Sequence, residues 1–223
     1  MARASQAGTS LVELLLGTAI GLIVVAAAAS VVAANQVAAR RVQNEARLMQ
    51  DLRGAAELVG RDLRRAGHWA ASASGVRLGD APGAVNPHAD IAPASAGASA
   101  VALSFSTDAG GSDAVDESER FGFRLRAGVI EIQLGARNWQ ALSDPQTLVV
   151  TSFSVVPRVD EVELSTFCAV ACAAGSVTCP PRQQIRGYAI TVAGRSAVDP
   201  GVVRSLRGSV RVRNDIVVGS CEA

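Results

Sequence analysis

The 223-residue chain contains no lysine; all 21 of its cationic side chains are arginine, set against 20 acidic ones. The net charge is +1 and the isoelectric point about 7.7, so no field of one sign exists to recruit nucleic acid or an acidic substrate. Proline is absent before Pro82, which leaves the first third of the chain without its strongest helix breaker. Histidine is scarce as well. Only His68 and His88 are present, and neither lies beside a nucleophile pattern. No Gly-x-Ser-x-Gly elbow, phosphate loop or His-Glu-x-x-His stretch occurs, and these absences exclude the commonest hydrolase, nucleotide and zinc-protease signatures. The chain reads as a non-enzyme without cofactor or metal.

What is present first is an apolar run, residues 11–34, broken by one charge, Glu13. At about 1.5 Å per residue the run crosses a hydrocarbon core of about 30 Å. A carboxylate inside such a segment costs on the order of 3 kcal/mol and therefore needs a partner. Cleavage after Gly8 would place a new α-amino group on Thr9, four residues before Glu13 and on the same helix face. A plain secretory signal cut among Ala27 to Ala34 is the competing reading. It leaves Glu13 unexplained and severs a helix that the following sequence continues.

The stretch Gly8-Thr9-Ser10-Leu11-Val12-Glu13, followed by the apolar run, resembles the type III signal of type IV pilins and pseudopilins. The resemblance implies cleavage after Gly8 by a prepilin peptidase, N-methylation of Thr9, and a role for Glu13 in charge pairing during assembly. It also implies an N-terminus in the cytoplasm. Thr9 stands where that family usually has Phe.

Between Gln36 and Ala66 the apolar residues Val37, Leu48, Leu52, Ala55, Val59, Leu63 and Ala66 recur mostly at three- and four-residue steps, a helical stripe. Glu57 with Arg61 and Asp62 with Arg65 are spaced as pairs for the exposed side, and Gly67 suits the C-cap. Gly17 and Gly21 give a small-xxx-small spacing in the membrane half. Residues 1–8 thus form a leader and residues 9–66 one long helix, with its 11–34 part in the membrane. Residues 67–223 form a β-rich head. The fold class expected is α+β and pilin-like, with the helix on a mainly antiparallel sheet.

In the head, residues 70–99 read as a long surface connection. Alternating patterns at Val101 to Phe105, Phe121 to Leu125 and Ile130 to Leu134 predict strands, the last two joined as a hairpin at Ala127-Gly128. Further strands are expected at 147–156, 185–193 and 202–213. The acidic stretch Asp113 to Glu119 reads as a solvated loop without the spacing of a calcium site. Trp69 and Trp139 read as core or interface anchors, and His68 as a helix-end residue.

The four cysteines, Cys168, Cys172, Cys179 and Cys221, all lie beyond the membrane segment. Two disulfides follow if that side is oxidising. Three connectivities are open, and Cys-x3-Cys-x6-Cys is not a zinc-finger spacing.

A second resemblance rests on Arg61-Asp62-Leu63-Arg64-Arg65-Ala66-Gly67-His68-Trp69 and on Arg204 to Asp215, ending Arg211-Val212-Arg213-Asn214. These stretches are similar to the helix end and last strand of PilW-like minor pilins. That family implies a low-abundance subunit held in the inner membrane with a periplasmic head, then carried into a surface pilus. Its partners are the prepilin peptidase, other minor pilins, the major pilin and a tip adhesin, in fibres used for adhesion and twitching. The alternatives are a J-type pseudopilin of a type II secretion system and, from another class, a membrane-anchored periplasmic binding module or enzyme. Neighbouring genes discriminate among the three.

Protein taken from the native membrane is expected to begin at Thr9 on N-terminal sequencing, with or without an N-methyl group. Gly8→Arg is expected to leave a longer, uncut form. A start near Ser30 or Asn35 instead would mark a secretory signal.

Overall fold

The computed structural model describes residues 10–75, 83–107 and 114–222. One helix, α1 (Leu11–Arg65), opens the described chain. Its contacts divide it between two compact units, Met1–Glu45 and Ala46–Ala223. Helix α1 starts at Ser10, whose carbonyl accepts the Glu13 and Leu14 amides at 3.0 and 3.1 Å and whose hydroxyl accepts the Val12 amide at 3.3 Å. A serine in this place satisfies amides that no earlier turn can reach. Residues 11–43 are exposed along the helix. Val37, expected in the buried stripe, is 69% exposed, and the stripe begins instead at Leu48.

The second unit holds the core. Leu48, Leu52, Ala55, Val59, Leu63 and Ala66 are buried in one cluster with residues of every long strand. These follow the three- and four-residue steps that set one helical face. The helix ends at Arg65, and Gly67 takes φ +76°, the left-handed conformation glycine adopts without a Cβ penalty.

The strands form two antiparallel sheets rather than one. The first contains β1 (Ala100–Ser104), β2 (Arg120–Arg126), β3 (Val129–Leu134) and β4 (Trp139–Ala141), in that order. β2 and β3 are joined by Ala127 and Gly128, at φ +50° and +79°. Two positive φ values are what a tight turn matching the strand twist demands. The second sheet has the order β5 (Leu148–Glu163), β6 (Arg182–Ser196), β7 (Val203–Arg211). β8 (Ile216–Val218) pairs with Arg182 to Gln184 of β6, on the edge that β7 occupies further along. β5 runs well past the span its pattern suggests, because beyond Val155 its side chains are mostly exposed and alternation carries no signal, and β6 extends a few residues beyond its own at each end.

The segment before β1 fastens the two sheets. Ala92 bridges to Ala102, and Ala98 to Val155 of β5. Two corrections concern charge. The acidic stretch is not wholly solvated, since Glu119 is 3% exposed within a short turn, Glu117–Glu119. Asp113 lies outside the described residues. Asp62 is likewise buried, and Arg61 turns to it at 3.1 Å, while Arg65 lies 4.1 Å over the Phe105 ring.

Leu52 is completely buried at the centre of the stripe. Leu52→Ala is expected to destabilise the head by about 2–5 kcal/mol. Urea titration of the full chain in detergent, followed by Trp69 and Trp139 fluorescence, measures this.

Candidate functional site

Glu13 occupies the first turn of α1, flanked by exposed Leu11, Val12, Leu14, Leu15 and Leu16. Gly8 and Thr9, the expected cleavage pair, lie outside the described residues. The polar side chains further along look after themselves. Thr18 Oγ1 donates to the Leu15 carbonyl at 3.0 Å and Ser30 Oγ to Ala27 at 2.7 Å. Such back-bonding leaves no hydroxyl in want of water. α1 contains a stretch long and apolar enough to cross a membrane.

The two stretches that carry the minor-pilin resemblance meet at the other end of the helix. Arg213 N donates to the Arg64 carbonyl at 3.2 Å, and Asn214 Nδ2 donates to the Ala66 carbonyl at 3.0 Å. Asn86 Nδ2 donates to Gly67 O at 2.8 Å. Three carbonyls that a helix end leaves without partners are thereby satisfied from distant segments. Arg186 completes the junction, donating from Nη1 to Ala89 O and from Nη2 to Asn214 O at 2.9 Å. Burial pushes the Arg186 guanidinium below its ordinary range and the neighbouring Tyr188 hydroxyl above its own. A Cβ on Gly67 would stand 3.3 Å from Arg186 Nη2, besides demanding a strained φ. A cleft of about 650 Å³ opens beside this junction, lined in part by Asp90, Arg120, Phe121, Gln184, Arg186 and Tyr188.

Serine, histidine and glutamate do converge once, where sequence spacing gives no hint of it. Ser106 Oγ lies 3.2 Å and Glu119 Oε2 3.7 Å from His88 Nε2. Both approach the same ring nitrogen, whereas a catalytic triad needs the acid on one nitrogen and the nucleophile on the other. His88 is fully buried, and Ser106 and Glu119 are 5% and 3% exposed, so substrate has no approach. Glu119 is spent on structure, accepting the Thr107 amide at 3.2 Å and the Asp116 amide at 3.1 Å. His68, by contrast, is exposed at the helix end. Trp69 is in the core, and Trp139 is half-buried with Arg124 4.0 Å over its ring.

The sulfurs of Cys168, Cys172 and Cys179 lie within 4.8 Å of one another, a spacing a metal would accept. Each is already bonded. Cys168 joins Cys221 and Cys172 joins Cys179, so no thiolate is left to ligate an ion. Glu222 adds a further tie, its Oε1 accepting the Ala173 amide at 2.9 Å.

A single apolar N-terminal helix continued into an antiparallel two-sheet head defines a pilin-like protein. Residues 41–212, about three-quarters of the chain, match the family model described as prepilin peptidase-dependent protein B. The chain belongs to that family. The matched region contains the helix end and Arg186 but ends one residue before Arg213 and Asn214, which close the junction, and it does not reach back to Gly8, Thr9 or Glu13. No curated protein and no solved structure matches the chain significantly.

Burial lowers the His88 pKa below its ordinary 6.5, against the opposing pull of Glu119. The unfolded chain therefore binds the proton more readily than the folded one, and stability present above about pH 6.5 is lost as pH falls below it. Urea midpoints measured between about pH 7.5 and 5.5 are expected to decline. His88→Gln should show a shallower decline.

Proposed function

We propose that this protein is a PilW-like minor pilin that takes part in initiating type IV pilus assembly. Prepilin peptidase cuts it after Gly8 and Thr9 becomes the mature, methylated N-terminus. The 11–34 part of α1 holds it in the inner membrane with the head on the periplasmic side. It then enters the pilus, or its tip complex, alongside other minor pilins and the major pilin. A tip adhesin is a further partner. Its role is structural rather than catalytic.

The observation that carries this reading is Glu13, the lone carboxylate of the exposed 11–34 apolar run of α1, in a chain whose family is named for prepilin-peptidase dependence. In lipid such a group is tolerable when it meets a cation, and the Thr9 ammonium of a neighbouring subunit supplies one. Docking then relieves the charge of both groups. The helix-end stretch from Arg61 to Trp69 supports the minor-pilin branch over a pseudopilin.

Glu13→Val is expected to leave membrane insertion and cleavage intact while reducing co-purification of partner prepilins and surface piliation. The measurement is complementation of a deletion strain. Full complementation with normal pili would show that charge pairing at Glu13 does not drive assembly.

A further inference from the structure

The second sheet has two outer edges. On the β5 side the described backbone cover ends at Val155: Val150 N donates to Gly128 O at 2.8 Å, Val155 N donates to Ala98 O at 2.9 Å, and Ala98 N to Val155 O at 3.1 Å. Both backbone groups of Val155 thus point away from β6. Direction alternates along a strand, so Pro157, Val159, Glu161 and Glu163 turn theirs outward too. On the other side Val212 N donates to Arg186 O at 2.9 Å, toward β6. By the same alternation Val203, Ser205, Arg207, Ser209 and Arg211 turn theirs outward. Among the described residues no backbone group pairs with either row. Pro157 fits this geometry, because a proline within a sheet belongs where its missing N–H would have faced outward.

The two rows carry opposite charge. Past Val155, β5 holds Asp160, Glu161 and Glu163 against one cation, Arg158, and β7 holds Arg204, Arg207 and Arg211 with no acid. Local pairs occupy part of this charge. Glu161 accepts from Arg182 at 3.3 Å and Arg211 donates to Asp215 at 2.8 Å. Glu163 and Arg207 have no ion-pair partner among the described residues. Charged edge strands block indiscriminate pairing, and here each edge repels its own kind and attracts the other.

We infer that the β5 edge of one copy of this chain receives the β7 edge of a second copy, extending the sheet from molecule to molecule. An antiparallel alignment with Glu161 opposite Arg207 sets Val162 against Leu206, Val159 against Ser209 and Glu163 against Ser205. It joins a charge pair and an apolar pair of the sort that stabilises adjacent strands. The contact is head-to-tail, so each addition leaves one free edge of each kind and the array can grow in one direction. This goes beyond the minor-pilin reading and does not rest on it, since both edges belong to the head.

The test places a photo-cross-linking amino acid at Val159 in the full chain in its native membrane. The expected product is an adduct of two copies, linked within residues 203–211. Arg207→Glu should lower its yield roughly tenfold, the effect of about 1.4 kcal/mol, and Glu161→Arg combined with Arg207→Glu should restore it. Glu163→Arg, diagonal to Arg207, gives a second, independent charge reversal with a smaller expected loss. Non-reducing mass spectrometry of each variant confirms that both disulfides have formed, so a lost adduct is not a lost fold. No two-copy adduct, a link to another protein or to another part of the chain, or a yield indifferent to charge reversal would each overturn the inference.

Discussion

Neither sheet of the head has a core of its own. The apolar stripe from Leu48 to Ala66 on α1 is buried in one cluster with Val101 and Leu103 of β1, Phe123 of β2, Phe153 and Val155 of β5 and Ile190 and Val192 of β6. Withdrawing it would strip the inner side chains of both sheets, at about 1.5–3 kcal/mol for each large residue returned to water. The helix is therefore a common partner of two small sheets that also meet directly, β5 against β1, β2 and β3. This also explains why the helix end is so heavily bonded: its last carbonyls lie among buried residues, where an unpartnered group costs on the order of 1–3 kcal/mol.

Periodicity made the helix, its glycine stop and the β2–β3 hairpin legible, because each is a local pattern enforced by a local rule. Less local features escaped it. Val37 fits the helical spacing but is exposed, since spacing says which residues share a face and not where along the helix cover begins. Asp62 and Glu119 looked like surface charge by composition, yet both are buried, and Glu119 sits in a turn too short to show a period. Glu119 meets Thr107 and His88, and no spacing rule links those three. The bridges of Ala92 to Ala102 and of Ala98 to Val155 that fasten the two sheets escaped as well, since neither alanine carries a pattern.

The candidate site divides the same way. Glu13 stood out because charge in an apolar run is conspicuous in one dimension. The two stretches from Arg61 to Trp69 and from Arg204 to Asp215 could be singled out by resemblance, but their meeting through Arg213 and Asn214 is a tertiary fact. The disulfide pairing is another such fact, since Cys168 reaches past Cys172 and Cys179 to Cys221. Spacing alone left it open among three arrangements.

The bond from Asn214 to Ala66 spans 148 positions of sequence, and that distance has a consequence in time. At roughly 5–20 residues per second, Ala66 leaves the ribosome about 7–30 s before Asn214 does. Throughout that interval α1 exists without the segment that finishes its C-terminal end. The apolar run near its start is made before any strand of the head. Synthesis of the apolar part of α1 and completion of the head are thus separated by the order of the chain itself, and the helix end is closed only after Asn214 has been made.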